Sequence, residues 1–380
     1  MINTRPPLAT ANVIYFIAVH LLALVAAPIW GLLVGYSGWA WLTAGLIWLV
    51  SGLSITAGYH RLWSHRSYRA AWPLRLFFVL GGTFALQNSV LVWCARHRIH
   101  HRFVDDVERD PHSIRTSFWH AHIGWMLRHW PTSQIDFGQV QDLQQDPLLR
   151  WQHRYYWPLT WLLNLGVPVL IGLLVGEVIG MVLLAGAVRL VFSQHCTFFI
   201  NSLAHSWGRR QYSDANTSRD NGWLALLTWG EGYHNFHHAF QADYRNGARW
   251  WHFDPGKWLI ASCAWLRLAD GLKRTSGFKI HRARVQMQFR RLENELALID
   301  SADTWKQTLE REYQQFLDII SQWQAVQAER VQAGGVVLRD RWQKNAFSKR
   351  LRELDRELKA QTRRLASLRQ DWSAGSHGVL

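Results

Sequence analysis

Residues 11–34 read ANVIYFIAVHLLALVAAPIWGLLV, and a second apolar run, WAWLTAGLIWLVSGLSITAG, follows at 39–58. A transmembrane helix requires about 20 mainly apolar residues, so each run is long enough to cross a bilayer. Two further runs of this kind are separated by Glu177 alone and cover 156–176 and 178–200. The pattern predicts an all-α fold in which four transmembrane helices form two hairpins.

A fifth stretch, 73–93, is also apolar, but it contains Arg75, Gln87 and Asn88. Charged and amide side chains are costly in lipid. The position of this stretch decides on which side of the membrane the following residues lie, and its hydropathy leaves both positions open.

Basic residues beside the apolar runs indicate the orientation of the chain, because cytoplasmic loops are rich in Lys and Arg. The loop at 35–38 carries no charge, whereas Arg61, Arg66 and Arg69 follow the second run. The sequence therefore predicts that both termini and the region 59–154 are cytoplasmic. The formal net charge of +15 favours contact with anionic lipid head groups and an acidic soluble partner. No segment resembles a nucleic-acid-binding module, so nucleic acid is not expected as a partner.

Histidines gather at four places, each beside an apolar run or in the polar stretch next to one. Residues 231–238 read EGYHNFHH, with an H-x-x-H-H spacing, and ARHRIHHRF at 95–103 repeats it. Histidines also occur at membrane interfaces without a chemical role, but that explanation does not account for a repeated spacing. We therefore predict a shared metal site formed by His60, His65, His97, His100, His101, His205, His234, His237 and His238. Isolated histidines are interpreted as ordinary core or surface residues, among them His20, His129, His153 and His281.

The spacing of His60 and His65 sets a geometric condition. Five residues along a regular α-helix rotate a side chain by about 140°, so both rings face one ion only if the helix unwinds. Otherwise, the two rings serve two ions. Nine imidazoles also exceed the about four ligands that satisfy one zinc ion. Two metal ions are therefore expected, and imidazole is a ligand for iron, zinc, copper and nickel alike.

The histidines also decide the position of the fifth apolar stretch. The four groups can meet only if they lie on one side of the membrane, and the second run returns the chain to the cytoplasm at His60. If 73–93 crossed the membrane, His97 would emerge on the opposite face. We therefore expect 73–93 to be membrane-associated without spanning it.

With these groups in order, the sequence resembles the membrane fatty acid desaturases, in particular the acyl-CoA (stearoyl-type, delta-9) branch in its bacterial form without a fused cytochrome b5. The resemblance covers about 50–265 and rests on the histidine groups together with DPHS at 110–113, NSLAH at 201–205 and WHFDPGKW at 251–258. It implies an O2-dependent oxidoreductase that inserts a cis double bond into a saturated long-chain acyl substrate. Acyl-CoA is the favoured substrate, delta-9 the favoured position, and a bacterial inner membrane the expected location, with a cytoplasmic active site.

In that family nine histidines hold two irons, and an asparagine at the position of Asn201 holds one of them through a water. The resemblance therefore implies two Fe per chain, with zinc as a substitute in overexpressed protein because zinc outranks ferrous iron for nitrogen ligands. One departure is Arg96, which stands where the family usually has Asp. The reversed charge either weakens the support of the metal ligands or serves a different acyl head group.

A long acyl chain needs a tunnel that aims one carbon pair at the metals. Aromatic and amide side chains near the histidine groups are candidate substrate-binding residues, although tryptophan is also common at membrane interfaces. These candidates are Trp63, Gln87, Asn88, Trp93, Trp119, Trp207 and Trp229.

From about residue 280 the composition changes to Arg, Glu, Gln and Leu, which divides the chain into a membrane domain at 1–275 and a cytoplasmic part at 280–380. Two stripes of apolar residues in the second part, with a break at QAGG (332–335), predict a helical hairpin or coiled coil. One stripe comprises Val285, Phe289, Leu292, Leu296 and Ile299; the other comprises Phe347, Leu351, Leu354, Leu358, Leu365 and Leu368, with Gln361 interrupting it.

This C-terminal part either folds back on the membrane domain, forms a homodimer or docks an electron donor. No H-P-G-G haem-binding signature is present in the sequence. Electrons are therefore expected from a separate ferredoxin-type, cytochrome b5-type or flavoprotein partner.

Two other functions compete with desaturation. A di-iron membrane hydroxylase of alkyl or lipid chains would share the metal core, although the H-x-x-x-x-H spacing of His60 and His65 argues against it. A non-catalytic membrane scaffold would use the C-terminal helices and would tolerate loss of the histidines. The acyl carrier, the chain length and the double-bond position are left open by these residues.

Overall fold

The computed structural model describes residues 6–298, 303–334 and 341–376. The chain is mostly helical (72%). Strands within the described ranges are limited to one antiparallel pair, Arg69–Ala70 with Ala269–Asp270. The prediction of an all-α fold is confirmed.

Four helices are long and apolar enough to cross a bilayer, which confirms the four predicted transmembrane helices. Two of them continue beyond the predicted apolar runs, to Ser64 and His205. In both, the backbone stays helical into the polar histidine segment that follows the apolar run. The four spans are Thr10–Leu33, Gly38–Ser64, Tyr156–Val175 and Val178–His205.

The two hairpin turns lie at the ends of the spans that carry no histidine group, and they contact each other. Ser37 caps the second span, since its hydroxyl accepts a hydrogen bond from the backbone N–H of Ala40 at 3.3 Å. The backbone N–H of Ser37 donates to the carboxylate of Glu177 at 3.2 Å. Gly176 ends the third span in the left-handed conformation, with φ of 76°. Glu177, the residue between the last two apolar runs, thus ties the two hairpins together.

Each span contains a π-helical segment, in which the backbone bonds run from i to i+5. The segment in the second span is 11 residues long and ends directly before His65. These segments are Leu22–Ala26, Ser54–Ser64, Leu162–Gly166 and Val182–Val188.

The fifth apolar stretch, 73–93, is not one helix. A helix of 12 residues, Trp72–Thr83, is followed by a turn with positive φ at Leu86 and Asn88, and the next helix starts at Val90. A helix of 12 residues rises only about 18 Å, less than the about 30 Å of a hydrocarbon core. The short helix supports the prediction that this stretch does not span.

Short helical segments follow each hairpin and form what we call the cap. The apolar core beneath the cap joins it to the second span and includes the fully buried Tyr59, Phe78, Val90, Cys94 and Leu149. This packing fixes the cap helices against the ends of the spans. The helical segments of the cap are Trp72–Thr83, Val90–Arg102, His120–Gly124, Trp125–Leu127, Pro131–Ser133, Phe137–Val140, Gln141–Gln144, Pro147–Arg154, Gly222–Leu227, His234–Ala239 and Pro255–Trp265.

The chain divides into two compact units. The membrane unit comprises Met1–Arg210 and Ala215–Arg274, and the second unit comprises Gln211–Asp214 and Thr275–Leu380. Within the described residues, the second unit contains three helices instead of a two-helix hairpin, because one helix ends at Leu296 and another begins at Asp303, both before the QAGG break. These helices, which we call the bundle, are Gly277–Leu296, Asp303–Gly334 and Arg341–Ser376.

The bundle has its own apolar core, in which both predicted stripes take part. Gln361 is fully buried between them, and its Nε2 donates to the backbone oxygen of Glu312 at 2.5 Å. Leu368 is half-buried, Ile299 lies outside the described residues, and the end of the QAGG break does as well. Core residues include Phe278, Val285, Phe289, Leu292, Leu296, Leu309, Phe316, Ile319, Val326, Leu354, Leu358 and Leu365.

Candidate metal centre

The structure brings all nine histidines of the sequence analysis together, in two groups. Within each group the potential ligand nitrogens all lie within 4.8 Å of one another. The first group contains His60, His65, His97, His101 and His237, and the second contains His100, His205, His234 and His238.

The helix Val90–Arg102 serves both groups. His97 and His101 are one turn apart and enter the first group, whereas His100, on a neighbouring face, enters the second. An H-x-x-H-H spacing therefore lets one helix hold ligands for two adjacent sites.

The helix His234–Ala239 has the same H-x-x-H-H spacing, but it supplies two histidines to the second group and one to the first. His234 and His238 enter the second group, and His237 enters the first. The two helices thus supply three histidines to each group.

The π-helical segment Ser54–Ser64 meets the geometric condition set by His60 and His65. The backbone N–H of His65 donates to the oxygen of His60 at 3.1 Å, an i to i+5 bond. Because one π-helical turn takes more residues than an α-helical turn, the two rings face the same side, with centroids 4.8 Å apart. The helix does unwind at this point, and both histidines belong to the same group.

The ring nitrogens are arranged around shared points. Nε2 of His237 lies 3.0 Å from Nε2 of both His60 and His101. Nε2 of His234 likewise lies 3.0 Å from Nε2 of His205 and of His238. A ring nitrogen has one in-plane hydrogen or one lone pair, so it cannot bond well to two imidazole nitrogens at once.

A metal ion bound between the crowded Nε2 atoms of each group would satisfy them, because each nitrogen would direct its lone pair at the ion. Two ligand nitrogens that sit about 2.1 Å from a metal and at a right angle to each other are about 3.0 Å apart. The Nδ1 atoms of His101, His234 and His238 are buried without a hydrogen-bond partner. Five and four imidazoles crowded in this way fit two transition-metal ions, and we conclude that the two histidine groups can bind metal.

Carboxylates on the outer side of the rings orient the ligands. Nδ1 of His60 is 2.9 Å from the carboxylate of Glu231, and Nδ1 of His100 is 3.0 Å from that of Asp110. A carboxylate at Nδ1 fixes the tautomer that leaves Nε2 free for a metal. Sequence reasoning did not assign these two residues, although Glu231 lies in EGYHNFHH and Asp110 opens DPHS.

His205 is oriented by a hydroxyl. Its Nδ1 lies 2.8 Å from Oγ1 of Thr217, which donates to the carboxylate of Asp105 at 2.6 Å. Asp105 and Thr217 carried no spacing signal in the sequence, because Asp105 is far from His205 along the chain and the three side chains meet only in the fold.

A buried arginine holds Glu231 in place. Arg61 is 1% exposed, and its Nη2 donates to Asp254 at 2.8 Å and to Glu231 at 3.4 Å. Thr56 also donates to Glu231. Gly256 leaves room for this arginine, since a Cβ at this position would lie 3.0 Å from the guanidinium of Arg61. The arginine that follows His60 therefore fixes the residue that orients His60.

Burial keeps the ligand rings neutral. Desolvation, followed by the neighbouring rings, holds the pKa values of His97, His101, His234 and His238 well below the usual 6.5, and those of His65 and His237 as well. Burial alone would raise the pKa of Glu231, but its interactions with His60 and Arg61 lower it overall. Neutral imidazole and charged carboxylate are the forms that a metal site needs.

Asn201 lies four residues before His205 on the fourth span and is half-buried. Arg96 is mostly buried: its Nη2 donates to the backbone oxygen of Ser133 at 3.3 Å, and its guanidinium lies 5.3 Å from the ring centre of Trp125. Desolvation lowers the pKa of Arg96. Its Nε is buried without a partner.

A cavity between the second and fourth spans is also lined by Leu227, Trp229 and Glu231, which lie outside the spans. Of the candidate substrate-binding residues, Gln87 and Trp229 line it. Gln87 donates to Thr197 on the opposite wall at 2.9 Å. Trp229 lies against Gly52, where a Cβ would come within 1.8 Å of the indole nitrogen. The lining of the cavity therefore includes the carboxylate that orients a metal ligand.

The other candidates lie elsewhere. Trp93 stacks on His97 with ring centres 4.7 Å apart and donates to Gln87 at 3.1 Å, so it links the cavity wall to the first histidine group. Trp63 is buried in the cap core, and the backbone N–H of Asn88 donates to Tyr156 at 2.9 Å. Trp119 and Trp207 are 69% and 56% exposed and do not line the cavity.

Four membrane-length helices, followed by two histidine groups that can bind metal, are typical of the class of membrane histidine-box proteins. Comparison with known families makes the assignment specific: the family described as "Fatty acid desaturase" matches residues 39–267. The chain belongs to the fatty acid desaturase family, and it is an integral membrane protein.

Relatives extend across kingdoms. The chain is 42% identical over 252 residues to "Acyl-CoA desaturase 1" of Saccharomyces cerevisiae, an alignment of 66% of this chain and 49% of the yeast protein. It is 40% identical over 269 residues to "Probable acyl-CoA desaturase" of Schizosaccharomyces pombe, covering 70% and 56% of the two chains. It is also 35% identical to "sn-1 stearoyl-lipid 9-desaturase" of Anabaena variabilis, covering 71% and 96%. The chain thus spans about half the length of the two yeast proteins that it matches.

Proposed function

We propose that this protein is an O2-dependent acyl desaturase that inserts a cis double bond, at the delta-9 position, into a saturated long-chain acyl substrate. The observation that carries the proposal is the cavity between the second and fourth spans, whose lining includes Glu231, the carboxylate that orients His60. A cavity lined by Trp48, Ile55 and Leu227 suits an alkyl chain, and Glu231 in the same lining contacts His60 of the first histidine group. We infer that the acyl chain lies in this cavity, next to the histidine groups.

An unactivated CH2–CH2 unit has no acidic proton, so side chains that exchange protons cannot begin its oxidation. Two irons held by the nine histidines, with Asn201 reaching one through a water, would supply the oxidising power when dioxygen and two electrons are provided. The overall reaction takes two hydrogens from the acyl chain, two electrons and two protons, and reduces O2 to two waters. No oxygen enters the organic product.

The chain's own residues aim the substrate and keep the ligands in register. Trp93 stacks on His97 and hydrogen-bonds to Gln87, and Gln87 bonds to Thr197, so the wall of the cavity and a metal ligand are held as one rigid group. Glu231, Thr56 and Arg61 do the same on the His60 side. Rigid placement matters because only one carbon pair of a uniform chain is to react.

We further propose acyl-CoA as the substrate, because two relatives at 40–42% identity are named acyl-CoA desaturases. The cyanobacterial relative is named for a stearoyl-lipid substrate. The two carriers are separated by supplying purified protein with stearoyl-CoA or with a stearoyl phospholipid. Product formed only from the phospholipid would overturn the choice of acyl-CoA.

Electrons come from a separate redox protein of the ferredoxin, cytochrome b5 or flavoprotein type. We place both termini and the metal groups on the cytoplasmic side, since the basic residues after the second span favour it. Reporter fusions at residue 36 and at the C-terminus should then give opposite readouts. The same readout at both positions would exclude this topology.

The deciding experiment is expression in a host that lacks its own desaturase, followed by fatty acid profiling by mass. The proposal predicts products lighter by two hydrogens, with a cis bond at carbon 9. Products heavier by one oxygen would identify a hydroxylase instead. An unchanged profile, together with an equally unaffected His238→Ala variant, would favour a non-catalytic scaffold.

A further inference from the structure

One face of the last bundle helix, Arg341–Ser376, carries a row of positive charges. Positions three and four apart on an α-helix share a face, and these residues follow a spacing of 3, 4, 3 and 4. All are exposed. The row, which we call the cationic stripe, consists of Lys349, Arg352, Arg356, Lys359 and Arg363.

The stripe lies opposite the core. At about 100° per residue, it is centred about half a turn away from the buried Leu354, Leu358 and Leu365. The acidic residues of this helix, such as Glu353 and Asp355, lie on its flanks. Nothing in the apolar core of the bundle therefore explains why five cations share one line.

Other basic residues of the same helix form ion pairs with the neighbouring helices of the bundle. Arg364 and Arg369 pair with Glu312 and Glu295 of the neighbouring helices at 3.0 and 2.7 Å. Arg350 reaches Glu329 at 3.5 Å.

In the stripe, ion pairing within the described residues is limited to Lys359, which lies 2.7 Å from Asp355. Four of the five stripe cations are therefore directed outward without a carboxylate partner in the described part of the chain.

The chemistry of the stripe favours a flat anionic surface over a protein. From Lys349 to Arg363 the charges extend about 21 Å in a straight line. The exposed residues beside them include Ser348 and Ser367, and no aromatic or large aliphatic side chain is present among them in the described residues. Protein interfaces usually rely on aromatic or other large anchors, whereas lipid head groups bind cations without insertion.

The bundle is also held close to a membrane by its own chain. The second strand ends at Asp270 and the first bundle helix starts at Gly277, so a short connection joins the bundle to the unit that contains the spans. We propose that the cationic stripe binds the anionic phospholipid head groups of the membrane in which the protein is embedded. The bundle is a peripheral membrane contact that tethers the C-terminal helices to the lipid surface.

The test uses the full chain in nanodiscs. A fluorophore is attached at Ser367→Cys, one turn beyond Arg363, because the native Cys94, Cys196 and Cys263 are buried. The discs contain phosphatidylcholine with a nitroxide on its head group, with or without phosphatidylglycerol. We expect strong quenching in the anionic discs, little in the neutral ones, and loss of the difference at about 0.5 M NaCl, where charges are screened.

Two variants with the same change in net charge make the test specific. The stripe variant replaces Lys349, Arg352, Arg356, Lys359 and Arg363 with Gln, and the control replaces Lys279, Arg282, Arg291, Lys306 and Arg311 with Gln. The stripe variant should lower the ratio of docked to free bundle at least about tenfold, and the control should retain quenching. Circular dichroism confirms that both variants keep their helix content.

Three results would overturn the proposal. Equal quenching in neutral and anionic discs would remove the role of lipid charge. Equal loss in both variants would assign the effect to net charge and not to the stripe. Protection of the label that arises only when an acidic [2Fe–2S] ferredoxin is added as a probe would identify a protein partner instead of lipid.

Discussion

The centre of the membrane unit and the centre of the bundle are built from different side chains. Below the cap, the fold buries His60, His234, His237 and His238 together with the carboxylates of Glu231 and Asp110. In the bundle, the fully buried side chains are apolar, with Gln361 as the polar exception among the described residues. Both units have an apolar core, but within the described residues only the membrane unit also buries a cluster of imidazoles and carboxylates.

The difference teaches what each unit needs in order to fold. Burial of apolar side chains stabilises by itself, so the bundle requires no ligand. Without an ion, the Nε2 atoms of His237 and His234 each lie 3.0 Å from two other imidazole nitrogens and cannot bond well to both, and an unmet buried polar group costs about 1–3 kcal/mol. We therefore expect bound ions to add to the stability that the membrane unit gains from its apolar core, whereas the bundle should be indifferent to them.

The largest effect is expected from removing one ligand. His97→Ala, His101→Ala, His234→Ala or His238→Ala deletes a metal bond, so desaturated product should disappear and iron content should fall. The melting temperature of the membrane unit should fall as well, because the remaining imidazoles stay buried without their ion. Product formation, iron content and thermal melting are measured on the same preparation.

Two controls make this result specific. His129 is exposed, and His129→Ala should leave product, iron and melting unchanged. Leu358 is fully buried in the bundle core, and Leu358→Ala should lower the free energy of unfolding of the bundle by about 2–5 kcal/mol while two irons remain bound. Loss of iron in Leu358→Ala would break the contrast between the two units.

A smaller effect is expected from the residues that orient the ligands. Glu231→Gln and Asp110→Asn keep the size of the side chain but remove the charge at Nδ1 of His60 and His100. Iron affinity or product formation should fall about 10–100-fold, and Asn201→Ala should have an effect in the same range. Titration of the metal-free protein with ferrous iron measures the affinity. Variants as inactive as His238→Ala would show that these residues do more than orient.

A smaller effect still is expected from narrowing the cavity. In Gly52→Ala the new Cβ would come within 1.8 Å of Trp229, so the indole must move into the space proposed for the acyl chain. Desaturation should fall several-fold, or favour a shorter chain, with iron content unchanged. Gly45→Ala on the same span is the matched control, since nothing lies within 4 Å of its Cβ. If the two variants behaved alike, the acyl chain would not bind in this cavity.

The smallest effect concerns pH and falls on the membrane unit alone. Burial lowers the pKa of His65, His97, His101 and His237 in the folded state, while the unfolded chain titrates near about 6.5. Below about pH 6.5 the unfolded chain takes up protons that the folded chain does not. The free energy of unfolding should therefore fall as pH drops from about 6.5 towards the folded-state pKa values, and iron should be released with it.

Melting curves at pH 7.5, 6.5 and 5.5 measure this dependence. Above about pH 7 the histidine contribution should be constant. A melting temperature that rises on acidification would mean that the rings are protonated in the folded state and do not bind metal.

Much of the fold was accessible from the sequence, because membrane helices are encoded by local hydropathy. The four runs predicted the spans, and Arg75, Gln87 and Asn88 within 73–93 marked the stretch that the structure breaks into separate helices. The ends of the spans were less accessible. The second span extends to Ser64 as a π-helix, and hydropathy does not report helix that continues through polar residues.

The histidines of the site could also be predicted from the sequence, for a similar reason. Repeated histidine spacings identified the nine rings, since ligands on one helix are close in sequence. Asp105, Thr217 and Asp254 act on the site from distant parts of the chain, and only the fold brings them to His205 and Arg61. The bundle shows the same limit: the apolar stripes predicted packed helices, but their number depended on the end of a helix at Leu296, where no Gly or Pro marks it.

The central claim is that the nine histidines hold two metal ions, and metal analysis tests it most directly. Protein purified from cells supplied with ample iron should contain two irons per chain, and the His238→Ala variant should contain fewer. Zinc in place of iron, at two per chain, would still support the two sites, since zinc binds nitrogen ligands more tightly than ferrous iron does. One metal ion or none in wild-type protein, or two irons and full product formation in His238→Ala, would contradict the account.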